Sequence, residues 1–84
     1  MRLIWSDSSW DEYLGWQTGD KKVLKKINAL IKDIERDPFV GIGKPEPLKY
    51  ELAGCWSRRI TDEHRLVYIV EDESVSIVSC RYHY

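Results

Sequence analysis

The sequence predicts an α+β fold in which two N-terminal helices pack on one face of a small antiparallel sheet. Apolar residues between positions 21 and 34 recur at helical spacing. The second half of the chain consists instead of short runs with strand chemistry, separated by acidic or glycine-containing turns. Consecutive strands with short connections favour antiparallel pairing, and the 84 residues, without repeat or linker, are expected to form one domain spanning residues 1–84.

A short strand and a short helix are expected first. Residues 3–5, Leu-Ile-Trp, have the chemistry of a strand. Ser9 and Glu12 fit the reciprocal Ser-x-x-Glu capping box, so the helix is expected to start at Ser9. Its apolar stripe would be formed by Trp10, Tyr13 and Leu14.

The second helix is expected from Lys21, after the break and cap offered by residues 18–20, and is expected to stop at Asp37 and Pro38. Pro38 cannot continue the hydrogen-bond ladder and therefore ends the helix. The predicted buried face comprises Val23, Ile27, Leu30, Ile31 and Ile34. The lysines Lys22, Lys25, Lys26 and Lys32 would form either a solvated face or part of an RNA or partner contact.

Residues 38–47 hold all three prolines and two of the glycines, which predicts a loop. Pro45 and Pro47 flank Glu46, and such a stiffened loop can hold that carboxylate at low entropic cost. The strands expected after it cover residues 48–52, 55–60, 65–70 and 74 to the terminus.

Composition limits the class of protein. With 43% hydrophobic and 12% aromatic residues the chain is expected to fold rather than remain disordered. It turns polar directly after Trp5, so neither a signal peptide nor a membrane association is predicted, and a cytoplasmic location is expected. In that compartment Cys55 and Cys80 are expected to be reduced core thiols rather than a disulfide.

The net charge of −1 gives no global attraction to nucleic acid. Charge is unevenly distributed, however, because most acids of the second half fall in predicted turns. If these turns point away, one basic face remains. The basic residues of this half include Lys44, Lys49, Arg58, Arg59, Arg65 and Arg81.

The last predicted strand suggests a site at the edge of the sheet. Period-two alternation places one line of side chains on a single face, apolar at its start and cationic at its end. These residues are Val75, Ile77, Ser79, Arg81 and His83.

Two arginines are expected to lie side by side on neighbouring strands. Arg59 ends one predicted strand and Arg65 begins the next after a short turn. Crowded guanidinium groups favour an anion, and phosphate matches their planar donor geometry. Because neighbouring strand residues face opposite sides, one of the two adjacent arginines, Arg58 or Arg59, must point toward the helices or their edge.

Each of these features also has a structural interpretation. Glu46 could pair with Lys44 or Lys49, and His83 could be a solvated terminal residue. The arginines Arg59 and Arg65 could pair with Glu51, Asp62 or Glu63. His64, in a predicted turn, is expected to be a structural or surface histidine, and a metal site built from Cys55, His64, Cys80 and His83 is disfavoured because the spacing of metal-binding motifs is missing.

Several segments nevertheless resemble a known family. These are the opening Leu-Ile-Trp-Ser, Gly-Lys-Pro-Glu-Pro-Leu-Lys at residues 43–49, Trp-Ser-Arg-Arg-Ile at 56–60, Glu-His-Arg-Leu-Val-Tyr at 63–68 and Cys-Arg-Tyr-His-Tyr at 80–84. Together they resemble the YoeB (Txe/YoeB) toxins of the RelE superfamily. The resemblance covers the whole chain, and the ending Arg-Tyr-His-Tyr is its most specific part.

The resemblance implies a microbial-ribonuclease-like fold and an endoribonuclease that cleaves messenger RNA in the ribosomal A site. It also implies inhibition by a YefM-type antitoxin. By the same resemblance Glu46 matches the general base, Arg65 the phosphate-stabilising cation and His83 the general acid. The supporting positions are Lys49, Arg59 and Tyr84.

Such a reaction requires no metal or cofactor, because RNA carries its own nucleophile in the 2′-hydroxyl. Tyr84 could add a stacking ring and a terminal carboxylate beside His83. A non-catalytic RNA-binding or protein-interaction module remains the alternative. Self-association to a homodimer is also expected to be possible, since four tryptophans in so short a chain can leave an apolar patch uncovered.

Overall fold

The computed structural model describes residues 1–82, which form two α-helices and a five-stranded sheet. The helices are α1 (Asp7–Gln17) and α2 (Lys21–Arg36), and a 3₁₀ helix covers Tyr50–Leu52. The strands are β1 (Arg2–Trp5), β2 (Glu46–Pro47), β3 (Cys55–Arg59), β4 (Arg65–Glu71) and β5 (Ser74–Ser79). His83 and Tyr84 lie outside the described residues.

The strand order is β1-β5-β4-β3-β2, so the α+β class is confirmed. Neighbouring strands are antiparallel with one exception, the parallel pair β1–β5. An entirely antiparallel sheet was therefore a wrong expectation. The argument from short connections does not apply to β1, because both helices and three strands separate it from its partner.

α1 begins earlier than predicted. Its N-cap is Ser6, whose hydroxyl accepts the Ser9 N–H at 3.1 Å, while the Ser9 hydroxyl accepts the Ser6 N–H at 3.0 Å. This is a reciprocal capping box one turn ahead of the Ser9–Glu12 pair. Glu12 is used elsewhere, since its Oε1 accepts the backbone N–H of Cys80 at 2.8 Å.

α2 agrees with the sequence pattern. The Asp20 side chain accepts the Lys22 N–H at 2.8 Å, and the helix ends at Arg36, before Asp37 and Pro38. All five predicted apolar residues of this helix are buried. They pack with Trp16 of α1 and with Leu66, Tyr68, Val75 and Ile77 of the sheet, so both helices contribute to the core on one face.

Residues 48–52 do not form the predicted strand. The Leu48 N–H donates to the Cys55 carbonyl at 2.9 Å, so the chain between them must reverse direction. It does so through the 3₁₀ helix, with Tyr50 at φ +58°. Leu48 and Leu52 still reach the sheet, where they pack with Cys55, Val67 and Ile69 on the face opposite the helices.

A β-bulge changes the alternation in β5. Tyr68 lies opposite Ile77 but Val67 lies opposite Ser79, so one extra residue, Val78, is inserted. The predicted line of side chains is therefore wrong at Ser79, and its last member, His83, lies outside the described residues. Cys80, rather than Ser79, joins Ile77 in the helix-side core, and β5 ends at Ser79.

Neither helix of the described chain combines the length and apolar character needed to span a membrane.

Candidate functional site

The strand register brings three of the predicted site residues to one face. Glu46 lies opposite Ser57, and Arg59 lies opposite Arg65. Residues opposite each other share a face, and Arg59 follows Ser57 by two residues, so Glu46, Ser57, Arg59 and Arg65 all lie on the side of the sheet away from the helices. We call this surface the site face. The pairing of Arg59 with Arg65 confirms that the two arginines are neighbours on adjacent strands. The Cβ atoms of residues paired in this way are typically about 4.5–5.5 Å apart.

Arg58 explains how the adjacent loop is held against β3. Its side chain is fully buried on the helix side of the sheet and pairs with Asp33 of α2 at 2.5 Å. It also donates to the carbonyls of Asp37 at 2.7 Å and Ile42 at 3.1 Å, and to the Tyr68 hydroxyl at 3.2 Å. One buried cation therefore ties the end of α2 and the loop that leads to Glu46 onto the sheet.

Asp33 remains ionised in this network. The hydrogen bond from Arg58 is the main cause that lowers the pKa of Asp33 from 3.8 to about 2, with further contributions from the Ile42 N–H and from Arg36. The Arg58 guanidinium is thus balanced by a carboxylate, as a buried charge requires.

Two glycines allow the loop to come this close. A Cβ atom on Gly41, at φ +150°, would lie 1.8 Å from Asp33 Oδ2. One on Gly43, at φ +79°, would lie 2.7 Å from a methyl group of Leu30. The Gly43 carbonyl accepts the Arg59 N–H at 2.7 Å, so the loop is bonded to β3 immediately before it enters β2.

A cleft of 390 Å³ opens beside Glu46. It is lined by residues 46–52, which include the exposed side chains of Glu46, Lys49 and Glu51. Lys49, predicted to support the site, therefore lines the same cleft as Glu46. The ring of Tyr50 is 91% exposed at its rim.

The turn before β4 orients Arg65. Its Nη1 donates to the carbonyls of Thr61 at 2.5 Å, Asp62 at 3.2 Å and His64 at 3.1 Å. These contacts fix the plane of a half-exposed guanidinium whose other nitrogens carry further donor hydrogens.

The segment after β5 is held by α1. The Cys80 carbonyl accepts the Trp16 indole N–H at 3.0 Å, and the Cys80 N–H donates to Glu12. The Arg81 guanidinium lies 4.6 Å from the centre of the Trp16 ring, a cation–π contact. Sequence analysis missed this role of Glu12, because its spacing from Ser9 also fits a capping box.

Tyr82 connects this segment to the site face. Its carbonyl accepts the Arg65 N–H at 3.1 Å, and its N–H donates to His64 Nδ1 at 2.7 Å. The predicted site residues His83 and Tyr84 follow directly in the sequence but lie outside the described residues. His64 itself is only 8% exposed, so of the two expected roles, structural or surface, the structural one applies.

The two thiols lie on opposite faces of the sheet, Cys80 in the helix-side core and Cys55 in the cluster with Leu48. A single metal site or a disulfide that uses both is therefore excluded. Burial raises the pKa of Cys80 to about 12, which keeps that thiol protonated. Among residues 1–82, no three His, Cys, Asp or Glu side chains form a group that could hold a metal ion.

The site face thus combines a carboxylate that can accept a proton with guanidinium groups that can stabilise an anion, and the adjoining cleft adds the cationic side chain of Lys49. This donor and acceptor set suits a phosphate ester.

Comparison with known proteins shows a family for the whole chain. Residues 5–84 match the family model described as the YoeB-like toxin of bacterial type II toxin–antitoxin systems. The chain is 67% identical to Toxin YoeB of Escherichia coli strain K12, over the full length of both chains.

Solved structures of Staphylococcus aureus proteins are also similar. One is a YoeB–YefM complex, at 48% identity with a TM-score of 0.91, and another is a YoeB dimer, at 49% identity with a TM-score of 0.92. Each match covers 100% of this chain and 98% of the other.

Proposed function

Because the chain belongs to the family of YoeB-like toxins of bacterial type II toxin–antitoxin systems, we propose that it is a metal-independent endoribonuclease that cleaves messenger RNA in the ribosomal A site. The observation that carries the proposal is the strand register. It puts Glu46, Arg59 and Arg65 on one face, and Arg65 is bonded through its backbone to the residue that precedes His83.

In the proposed reaction Glu46 is the general base. It takes the proton of the RNA 2′-hydroxyl, whose oxygen attacks the neighbouring phosphorus. The bond from phosphorus to the 5′-oxygen of the next nucleotide breaks, and His83 as general acid gives that oxygen a proton. The products are a 2′,3′-cyclic phosphate, which water can open to a 3′-phosphate, and a 5′-hydroxyl end.

Charge develops on the phosphorane oxygens during this step. We assign their stabilisation to Arg65, with Arg59 and Lys49 in support, since loss of one such donor typically reduces the rate by about 10²- to 10³-fold. Tyr84 is proposed to stack on a base of the substrate, a contact worth about 1–3 kcal/mol. These groups supply base, acid and charge stabilisation, so the mechanism needs neither metal nor cofactor.

The ribosome is proposed to deliver the substrate. A net charge of −1 gives the protein little general attraction to free RNA. Binding to ribosomal RNA would hold the message against the site face and would restrict the activity to the cytoplasm, where translation takes place.

A YefM-type antitoxin is the proposed inhibitor. The similar Staphylococcus aureus toxin is found in complex with YefM and as a dimer. Self-association of this chain is supported by the partly exposed aromatic cluster of Trp5, Trp10 and Tyr13, whose ring centroids lie 4.8–5.6 Å apart. Such a patch is typical of a surface that another chain covers.

The test is cleavage of messenger RNA on programmed ribosomes, with the cut mapped at nucleotide resolution. Glu46→Gln removes the base and is expected to slow cleavage by about 10²- to 10⁴-fold at unchanged RNA affinity. Glu51→Gln is the matched control, because it alters a carboxylate in the wall of the same cleft and is expected to retain the wild-type rate. A zinc-selective chelator, added while the Mg²⁺ that the ribosome needs is kept constant, should change neither result.

Substitution of the other two groups completes the test, with Arg65→Lys and His83→Gln each expected to lower the rate while the melting temperature stays near that of the wild type. RNA binding without any cleavage by the wild-type protein would contradict the proposal and favour a non-catalytic RNA-binding module. Equal losses in Glu46→Gln and Glu51→Gln would contradict the assignment of the base.

A further inference from the structure

His64 has different partners at its two ring nitrogens. Nδ1 accepts the backbone N–H of Tyr82 at 2.7 Å, and Nε2 lies 3.4 Å from the Glu63 carboxylate. A nitrogen that accepts a hydrogen bond carries no proton, so the proton of the neutral ring is on Nε2, facing Glu63. Nδ1 is therefore the unprotonated ring nitrogen, and its lone pair accepts the Tyr82 N–H.

The ring and backbone of His64 are both fixed. The imidazole packs edge-on against the Trp16 indole, with ring centroids 4.9 Å apart. Its backbone N–H donates to the Thr61 hydroxyl at 3.0 Å, and its carbonyl accepts from Arg65 Nη1 at 3.1 Å. Nδ1 is thus a rigid acceptor held in the same turn that orients Arg65.

The backbone conformation of Tyr82 requires hydrogen bonds that hold it in place. It lies beyond the end of β5 and has φ +62°, a conformation that residues other than glycine rarely adopt. Its N–H is bonded to His64, and its carbonyl is bonded to the Arg65 N–H. Backbone conformations of this kind persist where the surroundings determine them.

We propose that His64 is a positioning residue: its unprotonated Nδ1 holds the Tyr82 amide and so sets the backbone from which the general acid extends. This inference rests on the proposed role of His83. His64 touches no substrate in this scheme and acts through Tyr82 alone.

Two variants separate the acceptor from the ring. His64→Phe keeps a ring against Trp16 but removes the acceptor. His64→Asn loses the ring but keeps an oxygen acceptor at the position of Nδ1. Because misplacement of a catalytic group by about 1 Å can reduce the rate by about 10²-fold, His64→Phe is expected to lower kcat by roughly 10- to 100-fold with little change in KM. His64→Asn is expected to stay within about threefold of the wild-type kcat.

A second measurement is independent of catalysis. In the wild-type protein the Tyr82 amide is expected to be protected from hydrogen exchange, and the nitrogen spectrum is expected to show Nδ1 of His64 without a proton. The Tyr82 amide should remain protected in His64→Asn and lose its protection in His64→Phe. These spectra test the hydrogen bond even if the wild-type protein cleaves no RNA, so failure of the proposed function is distinguishable from failure of this inference.

The proposal is overturned by an exposed Tyr82 amide in the wild-type protein, or by a folded His64→Phe variant with wild-type kcat. It is also overturned if His64→Asn loses as much activity as His64→Phe, since the ring rather than the acceptor would then be required. If His64→Phe fails to fold, the wild-type spectra and the kcat of His64→Asn decide the question.

Discussion

Arg58 and Arg59 are neighbours in the sequence with opposite surroundings. Arg58 is fully buried against Asp33 of α2, whereas Arg59 is exposed on the site face. Strand alternation alone requires that only one of them faces the helices. The sequence could not show that the buried one would also bind the loop before Glu46, because that depends on how Asp37 and Ile42 fold back onto it.

The close approach of that loop makes a prediction about Gly41. Gly41→Ala would add backbone strain and would also drive a methyl group into Asp33. We expect it to lower the free energy of unfolding by about 3 kcal/mol. Gly54→Ala is the matched control, because Gly54 also has positive φ, +96°, but its Cβ would meet nothing within 4 Å.

The control should therefore lose only about 1–2 kcal/mol, the contribution of backbone strain. Denaturant titration of both variants measures the two values. Equal losses would mean that the loop does not need the close contact between Gly41 and Asp33.

At the scale of the elements, the sequence pattern predicted correctly those elements that are determined by residues close together in the chain. α2 has one apolar face and a side-chain cap, and its bounds were predictable. Residues 48–52 have strand-like residues, yet the need to reverse the chain between β2 and β3 overrides that propensity. The parallel β1–β5 pair and the bulge at Val78 arise from tertiary pairing, which no local pattern records.

In the candidate site, too, local relations were predictable and long-range contacts were not. Opposition of Arg59 and Arg65 was predictable from a short turn between two strands. The roles of Glu12 and His64 were not, since each bonds to the segment after β5, 68 and 18 residues away in the sequence. Contacts between residues so far apart in the sequence depend on the tertiary structure and cannot be predicted from local sequence patterns.

The attachment of α2 to the sheet predicts a dependence of stability on pH. The folded state lowers the pKa of Asp33 from 3.8 to about 2, mainly through Arg58. The ionised carboxylate therefore stabilises the fold above about pH 4, and this contribution is lost as the pH falls toward 2. Asp33→Asn lacks it at every pH.

We accordingly expect wild-type protein to be more stable than Asp33→Asn at pH 5, with a difference that shrinks steadily between pH 4 and pH 2. Denaturant titrations across this range measure it. Asp72→Asn, in the exposed turn between β4 and β5, is the control and should match the wild type at pH 5. A difference between wild type and Asp33→Asn that stays constant with pH would rule out the assigned ion pair.

At the scale of the whole molecule, two cationic surfaces lie on different sides. The site face carries Arg59 and Arg65 on the sheet surface away from the helices. The lysines of α2, among them the exposed Lys25 and Lys32, lie on a helix whose apolar side is buried against the other face. The sheet and the helix layer separate the two surfaces.

This separation distinguishes the two interpretations of the α2 lysines. Single-stranded RNA bound at the site face should contact Lys49, Arg59 and Arg65. Each neutralised phosphate contributes about −0.7 to the slope of log K against log salt concentration, so three contacts predict a slope of about −2. Arg59→Gln in a Glu46→Gln background should reduce the magnitude of this slope to about 1.4.

Lys25→Gln with Lys32→Gln should leave the slope unchanged, because a short RNA on the site face cannot also reach α2. Fluorescence anisotropy with an RNA of about six nucleotides provides the measurement, and a smaller slope in the lysine variant would mean that the helix face, not the sheet, carries the general affinity for RNA.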